Sequence, residues 1–194
     1  MKRDVYLSVD LDYWHNKATG SGLDFVGSLF ELERPITVFT EHHLVLKEIN
    51  KQYRKVYNID FHSDLSETAW RWPNCGTWAN FVYGRENAEF EWRYPSFKPC
   101  IKKGWGLCHT DHESGSEFDP FANKNLWTWK HIARRNGLNG IELNSVDRIS
   151  LVLSPAWSNS RVILDTLIFI NDSHARFFSK SAKRVIESMM RGTV

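Results

Sequence analysis

The segment Asn58-Ile59-Asp60-Phe61-His62-Ser63-Asp64 sets three metal-competent side chains at alternate positions, directly after an apolar, β-branched run. Side chains alternate in direction along an extended chain, so Asp60, His62 and Asp64 are expected to look the same way. Two carboxylates and an imidazole on one face are costly unless a cation lies between them. With 11 Asp and 8 His in the chain, D-x-H-x-D is expected by chance about 0.03 times, so a solvated turn after a strand is the weaker reading. Two further segments end the same way. Val5 to Asp12 delivers Asp10 and Asp12 at the close of an apolar run, and that position gives an otherwise uninformative D-x-D its weight. Pro35 to His43 ends in Glu41, His42 and His43. Open α/β sheets bind ligands beyond the carboxyl ends of their strands, so the three ends are expected to converge on one site.

Positioning such a site requires strands, expected near 4–10, 35–40, 54–61 and 148–154. Helical spacing predicts helices from Glu41 through Ile49 and near 77–85, 126–136, 158–170 and 174–191, with Ser158 or Asn159 as a cap and Gly192 as a stop. Glu89 to Tyr94 alternates like a hairpin strand, and residues 86–125 read as an insertion over the strand ends. The expected architecture is α/β: a single three-layer domain spanning 1–194, with a mainly parallel sheet and the metal site at the C-terminal strand ends.

Composition sets outer bounds. A chain of 194 residues, 42% hydrophobic, has room for a full core. A net charge of +2 without a sustained basic block gives no reason to expect nucleic acid. No apolar run approaches the ~20 residues of a membrane span, and Met1 leads into a strand rather than a signal-peptide core. Three cysteines, Cys75, Cys100 and Cys108, form no even framework and no C-x-x-C, which suits a reducing cytoplasm. Nine tryptophans must supply core or pocket wall, or a groove for a peptide.

Taken together, D-x-H-x-D, a histidine opening a helix and Ser8-Val9-Asp10-Leu11-Asp12 resemble the metal-binding signature of the ureohydrolases, the arginase and agmatinase superfamily. Glu41-His42-His43-Leu44 is similar to their D-H-S-L segment, which favours His42 over His43. Asn74-Cys75-Gly76-Thr77-Trp78 stands at about the distance where those enzymes carry H-G-T, with Cys75 in place of their proton-shuttling histidine. Leu153-Ser154-Pro155-Ala156-Trp157-Ser158 resembles the small peptide-arginase branch of that superfamily, which modifies ribosomally made peptides. The Asp10/Asp12 strand comes first here, whereas arginases place it after the other two, and no acid stands where they carry a guanidinium-binding glutamate. Matches run from about Asp4 to Trp157, and residues 86–147 add almost nothing to them.

The resemblance implies an arginase/deacetylase-like fold and two Mn²⁺ ions, with Asp60 and Asp10 bridging. His42 and Asp64 would complete one ion, and His62 and Asp12 the other. Hard oxygen donors suit Mn²⁺ over Zn²⁺. Four carboxylates cancel two divalent ions, so a bound hydroxide leaves −1, the complement of a guanidinium. The expected reaction converts arginine side chains in a peptide to ornithine and urea. Cys75, His109 and His112 are candidates to protonate the leaving amine; Glu41, Trp78, Ser154 and Trp157 are candidates to contact substrate. The expected partner is an arginine-containing peptide, and a homo-oligomer is left open. Three alternatives remain: another ureohydrolase or deacylase-type metallohydrolase on a small molecule, a metal-stabilised peptide-binding protein without activity, and a Cys75 nucleophile enzyme.

Overall fold

Apolar runs long enough to be buried on both faces belong in the middle of a parallel sheet, and four of them lie side by side here. The computed structural model describes residues 3–14, 19–49, 53–64, 72–81, 88–95, 131–158 and 160–174. Its strands are β1 (Arg3–Asp10), β2 (Ile36–Phe39), β3 (Tyr53–Ile59), β4 (Glu89–Tyr94), β5 (His131–Asn136) and β6 (Val146–Val152). Its α-helices are α1 (Thr19–Glu31), α2 (Leu46–Ile49) and α3 (Ser160–His174). The strands form one sheet in the order β2-β6-β1-β3-β4-β5, and every pairing among the described residues is parallel.

Three layers follow from the alternation of side chains. On β1, Val5, Leu7 and Val9 share a core with Val26 and Leu29 of α1 and with Val162, Ile163 and Leu167 of α3. Tyr6 faces the other way and packs with Val45, Ile49, Trp78, Phe90 and Trp92. From β1 the chain moves outward to β2, then crosses back to β3 on the far side of β1. Right-handed crossovers running in opposite directions place their covering segments on opposite faces of the sheet. α1 therefore lies on one face and residues 42–49 on the other.

The expected strands at 4–10, 35–40, 54–61 and 148–154 correspond to β1, β2, β3 and β6. Elsewhere the structure differs from the reading of the sequence. Residues 131–136 form edge strand β5 rather than the end of a helix over 126–136, because pairing with β4 overrides a weak local preference. Glu89–Tyr94 is a strand parallel to β3, not half of a hairpin, so the interval 86–125 begins inside the sheet. Two of its charged residues are buried as a pair: Glu91 meets Lys55 at 2.7 Å and Arg93 at 2.6 Å. Arg93 in turn donates to the carbonyl of Asn139 at 2.7 Å. The expected helix from Glu41 to Ile49 divides into a 3-10 turn, His42–Val45, and the single α turn of α2. Near 77–85 the described helical residues are another 3-10 turn, Trp78–Phe81.

Helix α1 was not anticipated from the sequence. It buries Gly22, Val26 and Leu29 on one stripe. A Cβ at Gly22 would stand 3.1 Å from the ring of Trp14, so a larger residue there would press on that ring and require it to shift by a few tenths of an ångström. The expected helix at 174–191 and the remainder of the 86–125 interval beyond Pro95 lie outside the described residues. No helix among the described residues is long and apolar enough to cross a membrane.

Candidate metal centre

The carboxyl ends of four adjacent strands, β2, β6, β1 and β3, meet at one place. β1 ends at Asp10, and Leu11–Trp14 turns at once into a 3-10 turn that carries Asp12 back over the strand end. The Asp12 amide donates to Asp10 Oδ1 at 3.0 Å, which fixes the two acids against each other. β3 ends at Ile59, and Asp60 extends its ladder by donating its amide to the Arg93 carbonyl at 3.0 Å. The next residues bend instead of continuing as a strand. Asp64 reaches the site through left-handed backbone, φ 55°. Ser154, beyond β6, also has positive φ, at 42°. Backbone of this kind in residues other than glycine costs about 1–3 kcal/mol and persists where its surroundings determine it, often at functional sites.

His42 opens its 3-10 turn with its ring buried, while His43, one residue on, is partly exposed and turned away. His42 Nδ1 stands 2.8 Å from Asp64 Oδ2, 3.0 Å from Asp60 Oδ2 and 3.1 Å from Asp10 Oδ2. Bonds of about 2.1 Å to one octahedral ion would set neighbouring donor atoms about 3.0 Å apart. Yet His42 Nδ1 is aligned for a hydrogen bond with no partner. An orphaned buried nitrogen among three carboxylate oxygens, at the spacing of ligands around one ion, fits a metal. A second group, Asp12, Asp60 and His62, lies beside it and shares Asp60. There His62 Nδ1 is 2.7 Å from Asp12 Oδ2. These buried Asp and His groups could hold metal, and the six expected donors, Asp10, Asp12, His42, Asp60, His62 and Asp64, stand in one cluster.

Burial without a cation distorts the titration of these groups. Burial, then the neighbouring Asp64 and Asp10 charges, push Asp60 up to about 7. Burial and the Asp60 charge push Asp12 up to about 6, and burial and Asp12 raise Asp10. Burial alone would lower His62, but Asp12 and Asp60 outweigh it and push the imidazole up to about 9. His42 is likewise raised against its burial, by the Asp64, Asp10 and Asp60 carboxylates. Each shift signals charges that a divalent ion would compensate.

A second layer of donors aims the ligands. Ser8 Oγ lies 2.7 Å from His42 Nε2 and accepts from Ser150 Oγ at 3.1 Å, leaving Nδ1 facing the carboxylates. Asn58 donates to Asp60 Oδ2 and the His62 amide to Asp60 Oδ1, while the Phe61 amide donates to Asp12 Oδ1. Ser8, Asn58 and Ser150 are register partners on neighbouring strands, so one polar row crosses the sheet beneath the site. Trp78, expected to contact substrate, is instead fully buried, stacks on His42 at 4.7 Å and donates its indole N–H to Asp64. Ser154, also expected at the substrate, is buried and donates to Asp10. Trp157 remains exposed at the rim, its ring 5.5 Å from that of His62.

Glu41 and Cys75 stand apart from the six-residue cluster and join His43 instead. Burial, with Glu41 and Asp64, raises the Cys75 thiol. His109 and His112 lie outside the described residues. No family model, curated protein or solved structure matches the chain.

The support of Ser8 is open to direct measurement. Ser8→Ala leaves His42 Nε2 unpaired and the ring free to turn, and lost outer-shell partners cost about 10–100-fold in metal affinity. Titration with Mn²⁺ should show a loss in that range, and the metal-free protein should melt lower because a buried nitrogen loses its partner. An unaltered affinity would mean that Ser8 does not orient the ring.

Proposed function

We propose that the chain is a metal-dependent hydrolase that removes urea from arginine side chains presented in a peptide, leaving ornithine. The observation that carries this reading is that Asp60 belongs to both donor groups, as a carboxylate bridging two ions must. The ureohydrolase-like arrangement of motifs supports it independently. His42, Asp64, Asp10 and Asp60 would hold one ion, and Asp12, His62 and Asp60 the other. Oxygen-rich ligation favours Mn²⁺. Bound there, two divalent ions supply a hydroxide nucleophile near neutral pH and polarise the group it attacks.

The chain's own residues supply position and charge. Asp10, Asp12, Asp60 and Asp64 would balance the charge of two divalent ions, and any further anion there would favour a cationic group such as a guanidinium. Exposed Trp157, beside His62, offers an aromatic face on which that cation can lie. The departing amine needs a proton. Cys75, His109 and His112 are the candidates for it, and Cys75 is the one within the described residues. By the resemblance to the peptide-arginase branch, the arginine is held in a peptide, and free arginine should be a poor substrate.

An arginine peptide incubated with Mn²⁺-loaded protein should release urea and lose about 42 Da per converted residue, the balance expected for hydrolysis by a metal-activated hydroxide. Attack by a cysteine thiolate would instead give citrulline, about 1 Da heavier. Mass spectrometry separates the two. A citrulline product, or activity that survives complete removal of metal, contradicts the proposal. Full metal loading without any product would leave a metal-stabilised binding protein as the better reading.

A further inference from the structure

Beyond the six acids and histidines lies a second constellation of ligand types, formed by Glu41, His43 and Cys75. We propose that these three residues form a separate zinc site at the rim. One carboxylate, one imidazole and one thiol present their donor atoms within 4.8 Å of one another. His43 Nδ1 lies 3.2 Å from Glu41 Oε2, close to the ~3.4 Å that separates nitrogen and oxygen ligands on a tetrahedral zinc with bonds near 2.1 Å. That nitrogen is shielded from solvent yet makes no hydrogen bond, although an acceptor stands beside it. A shared ion explains both facts, since a metal draws the two atoms together without the alignment that a hydrogen bond demands.

The local structure holds the three residues in place. Glu41 and His43 flank His42 at the opening of its turn, so the backbone that buries His42 turns its two neighbours toward the rim. Cys75 rides a turn fastened by Asn74, whose Oδ1 accepts from the Gly76 amide at 3.0 Å and from Thr77 Oγ1 at 3.1 Å. The Cys75 side chain is free of any disulfide. The donor set differs from the oxygen-rich centre in the property that selects metals. A thiolate beside an imidazole prefers zinc, whereas carboxylate-dominated sites suit manganese. On binding, the Sγ–H bond breaks, a Zn–S bond forms and one proton leaves to solvent. Thiolate and Glu41 then balance the ion's two charges. Three protein ligands would leave a fourth position for water or a carboxylate. With Cys75 a ligand, protonation of the leaving amine passes to His109 or His112.

Cobalt reports on this site without reference to turnover. The full chain, first loaded with Mn²⁺, is titrated with Co²⁺ and followed by absorption. One further equivalent should bind, with the near-ultraviolet charge-transfer band of a cobalt–thiolate bond. Cys75→Ser should abolish the band while Mn²⁺ loading is retained. Cys100→Ser and Cys108→Ser should leave it intact. Glu41→Gln, at an exposed position, should weaken Co²⁺ binding by more than about tenfold, at least the effect of losing an outer-shell partner. Absence of the band in the unaltered protein overturns the proposal, as does a band that survives Cys75→Ser or an affinity indifferent to Glu41→Gln. The formation of urea, or its failure, does not alter this readout, so the two proposals stand or fall separately.

Discussion

Asp60→Asn should abolish two-metal loading and lower the rate of urea release by more than about a thousandfold, the upper scale for removing one preorganised electrostatic contact. Asp60 lies in both donor groups, with Oδ2 3.0 Å from His42 Nδ1 and Oδ1 3.7 Å from His62 Nδ1. An amide offers one neutral oxygen where the carboxylate offers two that share a negative charge, so it cannot serve both ions. The same replacement relieves repulsion within the acid cluster. At pH 8 the metal-free variant should therefore melt no lower than the metal-free parent, while gaining little from Mn²⁺. His42→Ala should also lose Mn²⁺ loading, and His43→Ala should retain it. Metal analysis beside a thermal melt decides the matter. Two bound equivalents in Asp60→Asn would show that Asp60 is not a bridge, and a collapsed fold in the metal-free variant would show that it is needed for structure.

Metal should stabilise the protein more as the pH rises. In the metal-free state Asp60 and Asp12 are pushed up to about 7 and about 6, so the folded protein holds their protons more tightly than the unfolded chain. The stability they contribute is complete below the ordinary carboxylate value and is lost as pH rises through those two values. His62, pushed up to about 9, acts in the same direction: its contribution is complete below the ordinary histidine value and disappears as pH climbs through about 9. The metal-free melting temperature should thus fall between pH 5 and pH 9. Metal binding requires the deprotonated forms, so the increment from Mn²⁺ grows over the same range. At a hundredfold excess over Kd that increment reaches about 2.7 kcal/mol. For a chain of this size it corresponds to a rise of about 5–10 °C. Melts with chelator and with Mn²⁺ that run parallel from pH 5 to pH 9 would mean that the acids do not share an ion.

The donors of this centre are legible in the sequence because they sit at the ends of apolar runs, where burial on both faces leaves a strand as the natural reading. Asp10, His42 and Asp60 each follow such a run. The manner of their convergence is less legible. Asp12 is carried by a 3-10 turn and Asp64 by left-handed backbone, neither of which alternation along an extended segment anticipates. The roles of Ser8, Trp78 and Ser154 depend on which strands become neighbours, and local sequence holds no record of that. Strand β5 was read as a helix for a related reason: an arginine-rich edge takes its conformation from the ladder it joins. Helix α1 is poorly marked in the sequence because its buried stripe begins with a glycine, a poor helix former that packs closely on Trp14.

The position of β6 has a consequence for how the protein is made. This strand, the last among the described residues, inserts between β2 and β1, the first two. Until a ribosome has passed residue 152, Phe39 and Asp10 have no common neighbour, and His42 cannot be held against Ser8 and Asp10. A nascent chain can pair β1 with β3 and bring Asp12, Asp60 and His62 together, but the group around His42 waits for β6. Such late, long-range pairing is slow, and in the interval the open edges of β1 and β2 are exposed to other chains. The order of synthesis therefore completes the two donor groups in sequence, the one on β1 and β3 before the one that needs His42.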